Sequence, residues 1–460
     1  MTLCKMAYLQ DDGGTVPNSS KKGRVIILGG GISGLMAANA VEDCFNEILM
    51  IERDNLTTTA PEDYFRKYVP QARHAHILLA AGRKALDELV PGFTQEAIKQ
   101  GAVLTDATKN WRSLFPQGWL PVYQSNVHFL CLSRGLLETS IRKLTLRKVK
   151  HLQLMDQTII EDIVLHKNGI HEVSVQNGNS STTISCDYLI DARGRSANAS
   201  KMLGKYGVQT NSRYIKPYLG YSSVWLRDNI QMQQDVNGLI VMAKPPVQPT
   251  GAVLFNIEQG KSILTFFGLN KHYPPKDWPG LIQFSQNLRS DKIYQTIKSI
   301  PEEKIYSYRK DESYFHDFGL NANWINNYLV VGDAISSFNP IYGQGITTSA
   351  LSLLALKKHI GNNEDSRSLQ RKLVEIYRNA WTISGNEDLR WPDTEADKKP
   401  LAISTMHKIS DKIERAAVNS QDVSLAYIKV LHMLEPPLSI FHPWLLLKIM
   451  TNKKANHTYA

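Results

Sequence analysis

The stretch RVIILGGGISGLMAANAV, Arg24 to Val41, constrains this chain more than any other. An apolar β-branched run meets a glycine turn, and small residues then continue as the start of a helix. Gly29, Gly31 and Gly34 form a GxGxxG pattern, and a second apolar run, EILMIERD from Glu47 to Asp54, follows at the spacing of a βαβ unit. The glycines permit a tight turn and let a pyrophosphate approach the helix N-terminus, whose free N–H groups and dipole favour anions. Glu52, about 20 residues on, can accept hydrogen bonds from adenosine ribose hydroxyls and would repel a 2′-phosphate, with Arg53 beside it. An adenine dinucleotide is therefore expected. The alternative is a βαβ unit whose glycines serve packing alone.

At 460 residues the chain is too long for one simple core and suggests two or three packed units. Hydrophobic residues at 42% and charged residues at 21% fit a globular enzyme and exclude disordered and fibrous classes. The formal charge of +10, from 53 basic and 43 acidic residues, is spread along the chain without a basic tail. That distribution argues against nucleic acid and suits a phosphate-bearing cofactor or an anionic membrane surface. Cys4, Cys44, Cys131 and Cys186 form no CxxC pair, so neither a zinc cluster nor a disulfide framework is indicated, and a cytoplasmic protein is expected. The first 23 residues read as a disordered tail without the apolar core of a signal peptide. No run reaches the roughly 18 apolar residues of a membrane span; PWLLLKIM, Pro443 to Met450, is far too short.

A helical stretch, Leu132 to Lys148, is followed by short alternating segments at His151–Met155, Thr158–His166, His171–Gln176 and Ser181–Ser185. They read together as an antiparallel meander. DYLIDARGRSAN then forms another strand, ending in Asp191, Gly194 and Ser196, and a late segment, GDAISSFNPIYGQGIT, runs from Gly332 to Thr347.

In this order and spacing, the GxGxxG turn, the SRGLLE helix, the DARGRS strand end and the GD-P-GxG segment resemble the para-hydroxybenzoate hydroxylase-like (group A) FAD-dependent monooxygenases. The resemblance spans residues 24–360. Within that superfamily, PQARHAHILLAAGRKALDELVPG (Pro70 to Gly92) and FNPIYGQGIT resemble the branch of bacterial polyene and polyether epoxidases. The fold implied is α/β: a Rossmann-type FAD-binding domain of glutathione-reductase-like topology, an inserted β-sheet substrate domain and a C-terminal helical region. Residues 24–78, 130–212 and 319–362 would form the discontinuous cofactor domain, 79–129 and 213–318 the substrate domain, and 363–460 the helical region.

The resemblance further implies that Asp333, after Gly332, holds a ribityl hydroxyl of FAD, a polyol contact suited to an acceptor-only carboxylate. Pro340 would rigidify the turn, while Gly343 and Gly345 let the start of the helix Gln344–His359 approach the flavin and stabilise charge on its reduced form. Arg134 would grip phosphate oxygens, and Arg73 matches a basic loop near the cofactor. Asp191 and Gly194 match a middle motif that in many relatives reads Asp-Gly; here Arg193 precedes the glycine, so the route of NAD(P)H is open. His74 and His76, two apart, could be metal ligands, flavin-side or substrate-side groups, or structural residues. No third metal ligand is evident.

The activity implied is NAD(P)H-dependent oxygenation of a lipophilic alkene or aromatic molecule by O2 through a flavin C4a-hydroperoxide. Water must be excluded to keep that species from decaying to H2O2. Strands expected at Tyr218–Asp228, Gly238–Lys244, Gly251–Gln259 and Lys261–Asn270 would supply the enclosure, with Tyr218, Tyr221, Val224, Phe255 and Phe266 on one face. No acid–base pair stands out among them, which favours epoxidation over phenol hydroxylation. The apolar segment Tyr427–Met450 would pack over the substrate channel or rest on a membrane surface, with Lys448, Lys453 and Lys454 toward lipid headgroups. Four rivals share the architecture. A halogenase is disfavoured, because no WxWxIP motif occurs and Gly343 stands where halogenases tend to carry serine. An alkene reductase of the geranylgeranyl reductase type is the strongest enzymatic rival. A non-redox binding protein is opposed by the intact GD segment, and a flavin-bound cyclase remains open.

Overall fold

The computed structural model describes residues 21–56, 65–227, 230, 232, 235–320, 323–362 and 364–451. Most of the expected tail lies outside the described residues, and its last two residues already belong to the first strand, Lys22–Leu28.

That strand is the centre of a five-stranded parallel sheet, in the order Tyr328–Val330, Tyr188–Asp191, Lys22–Leu28, Phe45–Ile51 and Leu152–Met155. Both faces are covered, so the strands are continuous apolar runs, and Val25, Ile26, Ile27 and Leu28 are fully buried. Leu28 stands level with Ile51 on one side and Asp191 on the other. Gly29, Glu52, Asp191 and the Gly332–Asp333 turn therefore gather at the carboxyl edge of one sheet, where open parallel sheets bind ligands. The helices Ile32–Val41, Arg134–Lys148 and Gln344–His359 contribute to the same core. The helices Ala80–Leu89 and Phe93–Lys99 also pack into it, through Ala85, Leu86, Leu89 and Phe93.

The meander differs from expectation. Leu152–Met155 pairs in parallel with Phe45–Ile51 as an edge strand of the main sheet, leaving Thr158–Val164, His171–Asn177 and Ser180–Cys186 as the antiparallel sheet. Alternating hydrophobicity is the same for a half-buried strand in either orientation, so the pattern cannot choose the partner.

A seven-stranded sheet runs Ile305–Lys310, Leu219–Leu226, Ser262–Gly268, Thr250–Asn256, Gly238–Val241, Trp111–Phe115 and Gly118–Trp119. The register splits the expected apolar face. Tyr221 lies opposite Phe267, whereas Val224 lies opposite Leu264 and Phe266 opposite Ser222. Successive side chains alternate, so Val224 and Phe266 point to the face covered by the helices Trp278–Gln286 and Lys292–Ile297. Tyr221, Ser223, Trp225, Thr265, Phe267 and Phe255 share the other face. Tyr218 precedes the strand in a left-handed conformation, φ 49°. The C-terminal region is helical at Ser366–Asp388, Ile403–Asn419, Gln421–Leu431 and Pro443–Thr451. Cys44, Cys131 and Cys186 are unpaired. No helix among the described residues is long and apolar enough to cross a membrane.

Asp106, at the end of the strand Val103–Asp106, staples the loop that follows it to residues 125 and 126. Its carboxylate accepts from the N–H groups of Thr108 (3.0 Å), Lys109 (3.0 Å) and Asn126 (2.7 Å) and from the Ser125 hydroxyl (2.7 Å). Burial alone would raise its pKa, but these donors hold the charged form and push it down to about 2, from 3.8. The stabilisation is complete above the unfolded value and is lost as pH falls from about 4 to about 2. Asp106→Asn is expected to flatten the acid-unfolding curve across that window, read by circular dichroism.

Candidate functional site

The three glycines of the first turn do different work. Gly29 has φ +101°, and a Cβ there would lie 2.8 Å from the Ala192 carbonyl oxygen. At Gly34 a Cβ would lie 1.9 Å from the Gly29 carbonyl oxygen. Those two are packing requirements. At Gly31 a Cβ would meet nothing within 4 Å, and the helix that starts behind it has neither a side-chain cap nor an acid in its first turn. An uncapped helix start beside open space is the arrangement an anion needs.

Glu52 accepts from the Gly30 N–H (2.7 Å) and the Asp54 N–H (3.0 Å), and its Oε1 pairs with Arg66 at 3.0 Å. Arg66 carries no sequence signal, yet it is the centre of this end of the site. Its guanidinium also reaches Asp54 (2.9 Å) and Glu138 (2.7 Å). Burial opposes its charge, but Glu138, Glu52 and Asp54 more than offset that and raise its pKa. Glu138 in turn holds Arg134 at 2.7 Å and Arg142 at 3.5 Å, each one helical turn away. Arg134 opens its helix behind the Ser133 cap, whose hydroxyl accepts from the Leu136 N–H. Arg53 and Arg73 instead turn to aromatic rings. Arg53 stacks 3.9 Å over Tyr68, and Arg73 lies between Phe65 and Tyr306, at 5.4 and 5.0 Å.

Asp191 is fully buried and accepts two parallel hydrogen bonds from Arg193, at 2.9 and 2.6 Å, and one from the Tyr328 hydroxyl at 3.2 Å. Arg193 therefore faces inward, to its own strand end. The turn it braces brings Gly194 (φ +62°) against Asp333, 3.7 Å from the Cβ position to the Asp333 Cβ. Gly332 (φ +67°) backs onto Ser33, and the Ser33 hydroxyl meets that of Ser349 at 2.9 Å. The three glycine motifs and the late helix are thus one contiguous constellation. Burial pushes the Asp333 carboxyl up, opposed by Lys310, Arg195 and Arg134. Among the described residues no hydrogen-bond donor is placed on that carboxylate.

Past Asp333 the chain forms a short turn, Pro340–Tyr342, and Gly343 (φ +66°) leads into the helix Gln344–His359. Asp388, from the C-terminal region, braces this turn by accepting from Asn339 Nδ2 (2.7 Å) and the Tyr342 hydroxyl (3.0 Å). Lys310, at the end of an edge strand of the seven-stranded sheet, donates to the carbonyls of Ser337 (3.2 Å) and Phe338 (2.5 Å). Neither residue is marked by a sequence motif. A Cβ on Gly345 would meet nothing within 4 Å, and among the described residues the buried oxygens Gln344 Oε1 and Thr347 Oγ1 have no hydrogen-bond partner. Open space at Gly31 and Gly345, before two helix starts, fits a long ligand with anionic and polar parts, as FAD is.

Burial lowers the Lys310 pKa to about 7, with Arg195 adding to the effect and Asp333 and Asp388 opposing it. Between about pH 7 and 10.5 the unfolded chain then binds a proton that the folded chain does not, so stability rises with pH across that window. Lys310→Met is expected to remove this slope, read as urea midpoints of the cofactor-free protein at both ends of the window.

His74 packs edge-on against Tyr221, ring centroids 4.4 Å apart, and its Nδ1 lies 2.9 Å from the Ser223 hydroxyl, itself 2.6 Å from that of Thr265. His76 Nδ1 donates to the His74 carbonyl at 2.8 Å. Burial lowers the two imidazoles to about 3 and about 4, helped at His74 by the His76 and Arg73 charges and at His76 by Arg134, while the hydrogen bond to the His74 carbonyl opposes the shift at His76. Both are neutral at physiological pH. Among the described residues no group of three His, Cys, Asp or Glu side chains could hold a metal ion.

No family model matches the chain. Protein Rv3254 of Mycobacterium tuberculosis is 22% identical over 404 residues, covering 82% of this chain and 83% of that protein. Among solved structures, a flavoprotein/dehydrogenase from Cytophaga hutchinsonii superposes with a TM-score of 0.63 at 14% identity, over 93% of this chain and 96% of its own. The p-nitrophenol 4-monooxygenase PnpA of Pseudomonas putida gives 0.61 at 13%, over 91% and 100%. The flavin-dependent brominase Bmp2 gives 0.62 at 13%, over 93% and 96%. The parallel sheet, the inserted seven-stranded sheet and the C-terminal helices are the mixed α/β fold of flavoprotein monooxygenases and halogenases.

Proposed function

We propose that this chain is an FAD-dependent monooxygenase that uses NAD(P)H and O2 to oxygenate a lipophilic alkene, in the manner of an epoxidase. The observation that carries the reading is the meeting of the Gly31 turn, Gly194, Asp333 and Gly345 around space that two helix N-termini face. In this reading the helix behind Gly31 binds the pyrophosphate, Glu52 the ribose, and Asp333 the ribityl chain. The Gly343–Gly345 start of the late helix favours negative charge on the ring system. Arg134 would share its guanidinium between Glu138 and phosphate. Asp191 acts through the turn that Arg193 braces, by setting Gly194 against Asp333. Bound FAD supplies hydride acceptance from NAD(P)H and activation of O2.

The protein's part is to orient and to keep water out. The face carrying Tyr221, Trp225, Phe255 and Phe267 is mostly apolar, its Ser223 and Thr265 hydroxyls bond to each other, and Trp225 Nε1 donates to the Arg73 carbonyl. Burial lowers His74 to about 3, which makes it too weak a base to take a phenol's proton, and raises the Tyr221 hydroxyl, which therefore stays protonated. That supports alkene over phenol as the substrate class.

The test is direct. Purified protein with FAD is expected to turn yellow, to bleach anaerobically with NADH or NADPH, and to consume O2 faster when lipophilic alkenes are added. Alkene reduction without O2 uptake would favour the reductase. Protein that is folded and colourless in excess FAD would end the flavin reading.

A further inference from the structure

The segment Tyr427–Met450 is apolar almost throughout, broken by Pro436-Pro437 and His442-Pro443. It folds as the end of the helix Gln421–Leu431, a turn Pro437–Phe441 and the helix Pro443–Thr451. One side is accounted for. Ile440, Leu445 and Ile449 are buried with Val423, Ala426 and Ile413, in a layer that also covers Trp111 and Phe255 of the seven-stranded sheet. The other side is apolar as well. Leu438 is 55% exposed, Phe441 41%, Trp444 49%, Leu447 64% and Met450 71%. A surface helix of a globular protein needs one apolar stripe, and a second implies a second apolar neighbour.

We propose that this face rests on the surface of an anionic lipid bilayer. At nine residues and about 1.5 Å per residue, the helix Pro443–Thr451 is far too short to cross a hydrocarbon core of about 30 Å, so it would lie along the interface. Its composition suits that depth. Trp and Phe prefer the headgroup boundary, and Lys448 sits 4.5 Å over the Trp444 ring, its ammonium shared with Asp422. The charge matches too. From Gln421 onward the sequence holds four lysines, Lys429, Lys448, Lys453 and Lys454, against two acids, Asp422 and Glu435, which pair with Lys448 and Lys429 and leave an excess of two positive charges. Lys453 and Lys454 lie outside the described residues and enter by sequence alone. The docking does not depend on the flavin reading. If both hold, a lipophilic substrate dissolved in the bilayer would enter beside the layer that covers the sheet.

The test is co-sedimentation of the full chain with vesicles of phosphatidylcholine alone and of phosphatidylcholine mixed with phosphatidylglycerol. Binding is expected to the mixed vesicles above the neutral ones and to weaken with salt. The double variant Trp444→Ser/Leu447→Ser is expected to partition on the order of tenfold or more weakly, from the lost apolar contact. Both side chains are already about half exposed, so its thermal melt should match the parent's. Val247→Ser, at a 70% exposed position elsewhere, should bind as the parent does. Failure of the parent to bind either vesicle, or undiminished binding by the double variant, overturns the proposal. So does a parent dimer in light scattering that the double variant abolishes, without vesicle binding by either; that would give the face to a second copy.

Discussion

Gly31→Ala is expected to leave the fold within about 0.5 kcal/mol of the parent while weakening FAD binding on the order of 100-fold. The added methyl group meets nothing in the protein, so folding has no reason to suffer. It would project into the space assigned to the pyrophosphate and displace charge-assisted hydrogen bonds, each contributing about 1.5–3 kcal/mol. Gly34→Ala should do the reverse, destabilising the protein through the 1.9 Å approach to the Gly29 carbonyl. Thermal melts beside flavin-fluorescence titrations of both variants separate packing glycines from a ligand glycine. Equal FAD affinity in Gly31→Ala and the parent would remove the pyrophosphate from that turn.

Glu138→Ala should produce the largest loss of stability, about 3–5 kcal/mol, because a buried carboxylate shared by three guanidinium groups is removed: Arg134 loses its ion-pair partner, and Arg66 and Arg142 each lose one carboxylate. Urea denaturation with and without Arg134→Met reads the effect. The arginine change should restore part of the stability lost in Glu138→Ala, by removing one stranded charge. A loss below about 1 kcal/mol would mean that Glu138 is solvated rather than enclosed.

What the sequence reveals and what it hides follow from how far apart the interacting groups are. The βαβ unit is legible because its glycines, strand and helix are adjacent, and each local preference agrees with the fold. Asp191 and Arg193 are two residues apart, yet only the turn after the strand shows that they bond to each other. Placing Tyr221 and Val224 on one face overlooks that residues three apart in a strand point to opposite sides. Lys310, in IYSYRKDES, reads as an ordinary exposed strand residue until the Ser337–Phe338 backbone is laid over it. Arg66 and Asp388 likewise gain their partners only through tertiary structure, with no spacing to announce them.

Residues 337–342 are stitched from two sides, by Lys310 from the sheet at the Ser337 and Phe338 carbonyls and by Asp388, from the region after the last recognisable motif, at Asn339 and Tyr342. The final quarter of the chain is thus a structural member of the loop that leads into the late helix rather than a trailing accessory. Trimming it away to obtain a minimal dinucleotide module would unmoor the very segment that such a module is meant to preserve.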